Sequence, residues 1–226
     1  MKFIVFGLGS FGSSLSVQLV NLGHEVIGVD HKVELVEKYQ KTITHTIALD
    51  ATNAEAIKQL PLNEVDAAII GIGENEGISI MVTALLIQHN VKRIICRVTS
   101  PLQQVVYEAM NIEEFVYPEA SSAERLAMRL DMPGILNSFR FRNDYRMIEV
   151  KVPERYVGKT VESMKLNEKY KLILITIVRD TVRKNIFGKE TLYHDVLGYI
   201  DPQTQVLPGD NLLLFGTQND IKSFID

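Results

Sequence analysis

The chain has 226 residues, 46 % of them hydrophobic, and carries 24 Lys and Arg against 28 Asp and Glu, a formal net charge of −4. That length accommodates one large core or two modest ones, and the acidic balance argues against nucleic acid or a membrane surface as a partner held by bulk charge. No apolar run approaches the roughly 18 residues of a membrane-spanning helix, and the single thiol, Cys96, excludes an internal disulfide.

Met1-Lys2 leads straight into the apolar run Phe3-Ile4-Val5-Phe6 rather than into a signal peptide, so a soluble intracellular protein is expected. A strand over residues 2–6 passes at once into Gly7-Leu8-Gly9-Ser10-Phe11-Gly12 and a helix over 10–22; a second strand over 25–30 ends in Asp30. Each residue type has a physical role at a nucleotide in this order. The first glycine permits the tight strand-to-helix turn, and the second lets backbone N–H groups approach a pyrophosphate. The third lets the helix pack closely on the sheet, and Asp30 can accept hydrogen bonds from a ribose.

The alternation continues with a helix over 33–39, a strand over 46–48, a helix over 54–59 and a strand over 67–71. A helix over 77–89, a strand over 93–98, a helix over 102–109 and a strand over 114–116 follow. Continuous Ile and Val runs separated by single helices predict a parallel sheet covered on both faces. The fold class is therefore α/β, a Rossmann-type doubly wound sheet of six strands, complete by about residue 118. Cys96 lies inside the apolar stretch 94–98 and is expected to be buried and inert. A leftover helix over 121–130 precedes the breaker Asp131-Met132-Pro133-Gly134 and is placed to cross to a second lobe or a second subunit.

Beyond the breaker the rhythm changes. A strand over 147–152, a short helix over 161–166 and a strand over 172–178 lead into a weakly patterned stretch, 181–205, that reads as a long hairpin or a loop. Pro208-Gly209-Asp210 turns into a strand over 211–216, and a helix over 219–225 follows. About 80 residues of this kind predict a small α+β module. Residues 1–137 carry 10 Lys and Arg against 16 Asp and Glu, whereas residues 138–226 carry 14 against 12. The shift falls at Arg140, Arg142 and Arg146, which read either as a solvated junction or as a contact for an acidic partner surface. Two domains are expected: 1–137, nucleotide-binding with its crossover helix, and 138–226, the small α+β module.

Other chemistries lack support. His24, His31, His45, His89 and His194 have no metal-ligand spacing. No Gly-x-Ser-x-Gly elbow, paired-carboxylate signature or basic recognition helix is present. Read without a family, Asp50 is a helix cap, Thr52 braces that turn, and Glu119 is an N-cap or first-turn residue. Ser13 and Ser14 suit close packing of the first helix. Two function classes remain: a non-catalytic nucleotide-binding protein, and an NAD-dependent oxidoreductase with a minimal second domain. The latter needs a proton donor facing the nicotinamide, and none stands out in the second half.

Taken together, residues 3–12 and 26–30, Asp50-Ala51-Thr52 and Tyr117-Pro118-Glu119 resemble the RCK family (regulator of K⁺ conductance). Val157-Gly158-Lys159, residues 166–170, Leu207-Pro208-Gly209-Asp210 and residues 211–216 extend that resemblance over essentially the whole chain. It implies a non-enzymatic regulatory subunit, cytoplasmic and peripheral at the inner face of the membrane. Its partner would be a potassium-translocating subunit of Trk or Ktr type, beneath which homodimers form a ring, typically of eight. It also implies an adenine nucleotide, NAD(H) or ATP/ADP, on Gly7, Gly9, Ser10, Phe11 and Gly12, with its ribose at Asp30 and its adenine beside Asp50, Ala51 and Thr52. Arg97 is then the basic residue facing the phosphates, and Glu119 the carboxylate beside them that helps hold a divalent cation, Mg²⁺ or Ca²⁺.

Two departures from the family pattern refine this. Ser10 stands where many ATP/ADP-sensing members carry arginine, which weakens ATP/ADP discrimination and favours NAD(H) or a mononucleotide read differently. Some members bind cyclic di-AMP in the C-terminal module; Asn167 and Tyr170 are kept, but Glu168 replaces a common basic residue and argues against that ligand.

Overall fold

The computed structural model describes residues 1–141, 143–184 and 190–226. They divide into two units, Met1–Ala120 and Ser121–Asp226. The first alternates β1 (Lys2–Phe6), α1 (Ser10–Asn21), β2 (Glu25–Asp30), α2 (Val33–Tyr39), β3 (His45–Ala48) and α3 (Ala54–Ile57). It continues through β4 (Ala67–Ile70), α4 (Glu76–Gln88), β5 (Ile94–Arg97), α5 (Pro101–Ala109) and β6 (Glu114–Val116). The six strands form one parallel sheet in the order β3-β2-β1-β4-β5-β6.

Successive side chains of a strand point to opposite faces, and both faces here are covered. Ile4 and Phe6 of β1, with Ile27, Val29, Ala68 and Ile70, form a core with Ile57 of α3, Val82 and Leu86 of α4 and Tyr107 of α5. Phe3 and Val5, with Val26, Ala67 and Ile69, pack on the other face with Leu15 and Leu19 of α1 and Leu35 and Val36 of α2. Coverage on both faces is why β1 and β4 read as unbroken apolar runs. From the central β1 the chain winds outward to β3 on one side and then returns to β4 on the other. The switch point therefore lies between β1 and β4, and the crevice of such a sheet opens at the carboxyl ends of its strands.

The second unit takes up α6 (Pro118–Asp131) from its fourth residue and continues with β7 (Ile135–Arg140), β8 (Tyr145–Lys151), α7 (Val161–Met164), α8 (Leu166–Tyr170), β9 (Ile173–Lys184), β10 (Glu190–Val196), β11 (Asn211–Thr217) and α9 (Gln218–Ile225). Its strands form an antiparallel sheet in the order β10-β9-β11-β8-β7, the α+β module expected from the sequence. Ile148, Val150, Leu212 and Leu214 alternate inward onto Met164, Leu166, Ile221 and Phe224, and Met128 and Met132 join the same core.

Several expectations for this half need correction. β7 was not anticipated: it follows Gly134, whose φ of +98° suits glycine alone, and a register shift between Ile135 and Asn137 breaks its alternation. The single helix expected over 161–166 is two, separated by Lys165 at φ +49°. The strand expected over 172–178 runs on to Lys184 and pairs with β10, so the weakly patterned stretch contains a long hairpin; its residues 185–189 lie outside the described residues. The hairpin is anchored where Arg179 meets Asp210 through two bonds, Nε–Oδ1 at 2.7 Å and Nη2–Oδ2 at 2.8 Å.

Nor is Arg146 a plain solvated junction residue. Arg146 is 7 % exposed; it donates from Nη2 to Glu124 Oε1 at 3.1 Å and from Nε to Gln218 Oε1 at 3.2 Å. Arg140 lies 3.5 Å from the same Glu124, so the acid these two arginines meet belongs to α6 of their own unit. Arg142 lies outside the described residues.

Candidate functional site

The first turn after β1 is built from absent side chains. Gly7 has φ +91° and donates its N–H to Val29 O at 2.7 Å, and a Cβ there would lie 2.9 Å from Ile72 Cγ1. A Cβ on Gly12 would come within 1.9 Å of the Gly7 carbonyl oxygen, so α1 can approach the sheet this closely only with glycine. Gly9 differs: nothing lies within 4 Å of its would-be Cβ. That open space, beside the uncapped N-terminus of α1 with exposed Ser10, is where a phosphate could reach backbone N–H groups.

Asp30, at the tip of β2, is 8 % exposed. Its Oδ2 accepts the Leu8 N–H at 2.7 Å, and its Oδ1 accepts the Lys32 N–H at 2.9 Å. The carboxylate thus ties the glycine turn to the second strand, a role the motif alone does not reveal. His31 Nδ1 lies 3.4 Å from the same Oδ1.

After β3, Asp50 Oδ1 accepts from the Thr52 hydroxyl at 2.7 Å and the Thr52 N–H at 2.9 Å. The hydroxyl first, and then the N–H, hold the exposed Asp50 carboxyl below its usual range. Thr52 therefore does brace the turn, but the cap of α3 is Asn53, whose Oδ1 accepts from Glu55 and Ala56. Ala51 is half-buried against the first core.

Arg97 ends β5, and its guanidinium lies flat over Gly73, where a Cβ would meet Cζ at 2.4 Å. Nη1 donates to Gly71 O at 3.0 Å, Nη2 donates to Glu119, and the group stands 5.8 Å from the centre of the Phe11 ring. Its Nε is buried with no partner among the described residues, and a stranded buried donor costs about 1–3 kcal/mol. Glu119 sits exposed in the first turn of α6. The structure thus brings Gly7, Gly9, Ser10, Phe11, Gly12, Asp30, Arg97 and Glu119 to one end of the sheet, with Asp50, Ala51 and Thr52 after β3. Groups of three or more His, Cys, Asp or Glu able to hold a metal are absent among the described residues.

Sequence reasoning missed the facing wall. A Cβ on Gly71 would lie 3.2 Å from Gly12 Cα and from Gly7 O, so Gly71-Ile72-Gly73 interlocks with the first glycine turn. The signal was available: two glycines directly after the apolar run of β4, the strand across the switch point from β1. This cradle, with an open backbone face at one end, a carboxylate at the other and a guanidinium carrying an unserved donor, fits a phosphate-bearing nucleotide.

The sequence model of the TrkA-N domain matches residues 3–118, a little over half of the chain. The chain belongs to the TrkA-N family. It is 26 % identical to Ktr system potassium uptake protein C of Bacillus subtilis (strain 168) over 223 residues, 99 % of this chain and 95 % of that protein. The GsuK RCK domain superposes on 99 % of this TrkA-N chain with a TM-score of 0.61 at 14 % identity, and the GsuK channel bound to NAD with a TM-score of 0.59 at 15 %. The chain spans about half of the first of those structures, 47 %, and 38 % of the second. At these identities the structural likeness shows the fold, and with the family match it upholds the RCK resemblance read from the sequence.

Cys96 is buried as expected: burial pushes its thiol up to about 11 despite the Thr83 hydroxyl at 3.6 Å. In the second unit a shallow cavity is lined by Glu162, Lys165, Asn167 and Glu168, two carboxylates against one ammonium. Tyr170 bonds the Tyr156 hydroxyl at 2.6 Å. No helix of the described residues is long and apolar enough to cross a membrane.

Proposed function

We propose that this TrkA-N protein is a non-catalytic, nucleotide-sensing regulatory subunit of a Ktr- or Trk-type potassium uptake system, held at the cytoplasmic face of the membrane by its translocating partner. The observation that carries the reading is the switch-point crevice: Gly9 open to a ligand, Gly12 and Gly71 in backbone contact, and Asp30 fixed at the tip of β2. The end-to-end similarity to a Ktr potassium uptake protein supports the transport context. Gly7, Gly9, Ser10, Phe11 and Gly12 hold the phosphates, Asp30 the ribose, and Asp50, Ala51 and Thr52 the adenine side.

The uncharged Ser10 favours NAD(H) over a reading of terminal phosphates, and the NAD-bound GsuK channel is consistent with that choice. Glu119 is the carboxylate that would hold Mg²⁺ or Ca²⁺ beside the phosphates. Homodimers assemble into an eight-membered ring, and α6 is the crossover helix through which ligand identity biases the assembly. A nucleotide shifts that equilibrium only by the difference between its affinities for the two states.

Titration calorimetry of the purified protein with ATP, ADP, NAD⁺ and NADH, with and without Mg²⁺, tests the site. One nucleotide class is expected to bind in preference to the others. Absence of all binding refutes the site, and sustained NADH consumption with a small substrate would replace the sensor with an oxidoreductase.

A further inference from the structure

We propose that Glu119 is an internal stand-in for phosphate: in the nucleotide-free chain it occupies Arg97, and the phosphates of an incoming nucleotide take Arg97 from it. The inference rests on the nucleotide reading of the crevice and adds a competition within it.

Arg97 is placed by the glycine cradle itself. Its guanidinium lies over Gly73, bonds the Gly71 carbonyl and faces the Phe11 ring in the first turn of α1. Gly71 and Gly73 form one wall of the crevice and Phe11 stands on the other, so the cation is seated at the phosphate end. The two partners are unequally held. The Arg97 side chain is 16 % exposed and the Glu119 side chain 60 %. Glu119 can swing into water and recover full hydration, whereas Arg97 leaves its seat only by giving up the Gly71 bond and its cover.

An arriving anion therefore exchanges the partner rather than moving the cation. The exchange also serves Arg97 better. Glu119 engages only Nη2, while a phosphate offers three oxygens and more charge to the same planar cation. A phosphate and the Glu119 carboxylate repel when both crowd the guanidinium, so without a divalent cation Glu119 opposes binding. Glu119 stands in the first turn of α6, whose residues from Ser121 onward belong to the second unit, so the exchange takes place at the root of that helix.

The test is calorimetry on the full chain in EDTA, with ATP, ADP and NAD⁺ as probes, for the wild type, Glu119→Gln, Arg97→Ala and the double variant. Circular dichroism verifies folding, which the exposed Glu119 is not expected to control. Glu119→Gln should tighten metal-free binding about three- to fivefold, the scale of a partly exposed ion pair, and should do so only while Arg97 is present. Unchanged or weakened binding in Glu119→Gln overturns the stand-in. So does an equal gain in the Arg97→Ala background, which would mark plain charge repulsion. If the wild type binds none of the probes, the nucleotide reading itself falls and takes the stand-in with it.

Discussion

Replacing Asp30 by alanine should injure the glycine turn before any ligand is added. The substitution deletes two acceptors, Oδ2 for the Leu8 N–H at 2.7 Å and Oδ1 for the Lys32 N–H at 2.9 Å. Leu8 is 0 % exposed, so its N–H finds no water in exchange, and a buried donor left unserved costs about 1–3 kcal/mol. Lys32 is exposed, and water replaces most of its lost bond. The expected loss is about 2–4 kcal/mol for Asp30→Ala, and about half that for Asp30→Asn, whose remaining carbonyl can still face Leu8. Because the chain has two units, a global unfolding curve mixes their contributions. Amide hydrogen exchange at Leu8 isolates the turn, and a loss of about 2 kcal/mol accelerates it about 30-fold. A Leu8 amide equally protected in Asp30→Ala and in the wild type would refute the reasoning. The turn's dependence on Asp30 also means that weakened nucleotide binding in the alanine variant alone does not assign a ribose contact. The asparagine variant, which spares Leu8, separates the two roles.

The glycines should divide by what surrounds them. Gly9→Ala, with open space around its Cβ, is expected to leave the melting temperature within about 2 °C and weaken nucleotide binding at least about tenfold, whereas Gly12→Ala, whose Cβ would strike the Gly7 carbonyl, should lower stability by about 2 kcal/mol or more in urea titration. Stability should also fall as pH rises from 9 to 11, because burial lifts the Cys96 thiol from 9.0 to about 11 and the unfolded chain sheds that proton first. Tyr107, raised from 10.0 to about 12 by burial, extends the decline upward, and Cys96→Val should flatten its lower part in pH-dependent urea midpoints. Asp210→Asn should cost about 2–3 kcal/mol by leaving a half-buried Arg179 without its bidentate partner and weakening the Leu207 N–H bond at 2.7 Å; a urea midpoint equal to the wild type's would refute that anchor.

The first unit was legible because its code is redundant. A buried parallel strand has to be apolar on both faces, and Phe3-Ile4-Val5-Phe6 and Ala67–Ile70 announce themselves as such. The glycine turn was legible because steric exclusion leaves one residue type at Gly7 and Gly12. The second unit spoke less clearly, since its strands bury one face and its irregularities break the alternation. The register shift in β7 and the left-handed Lys165 between α7 and α8 are examples. Pairings made at long range left no local trace. The Leu8–Asp30 bond spans 22 residues, the Arg146–Gln218 bond spans 72, and neither residue type is unusual at its position.

Gly73 gives the crevice a property that no ionisable residue displays. The seat of the Arg97 guanidinium at the cradle is the space where position 73 has no side chain. A single methyl group there would displace the Arg97 head group from its seat, with net charge, sheet and the first glycine turn unchanged. Affinity for anions in proteins of this build can thus drift through an uncharged position. A comparison of relatives that scored only their arginines and glutamates would miss the residue that decides where the charge stands.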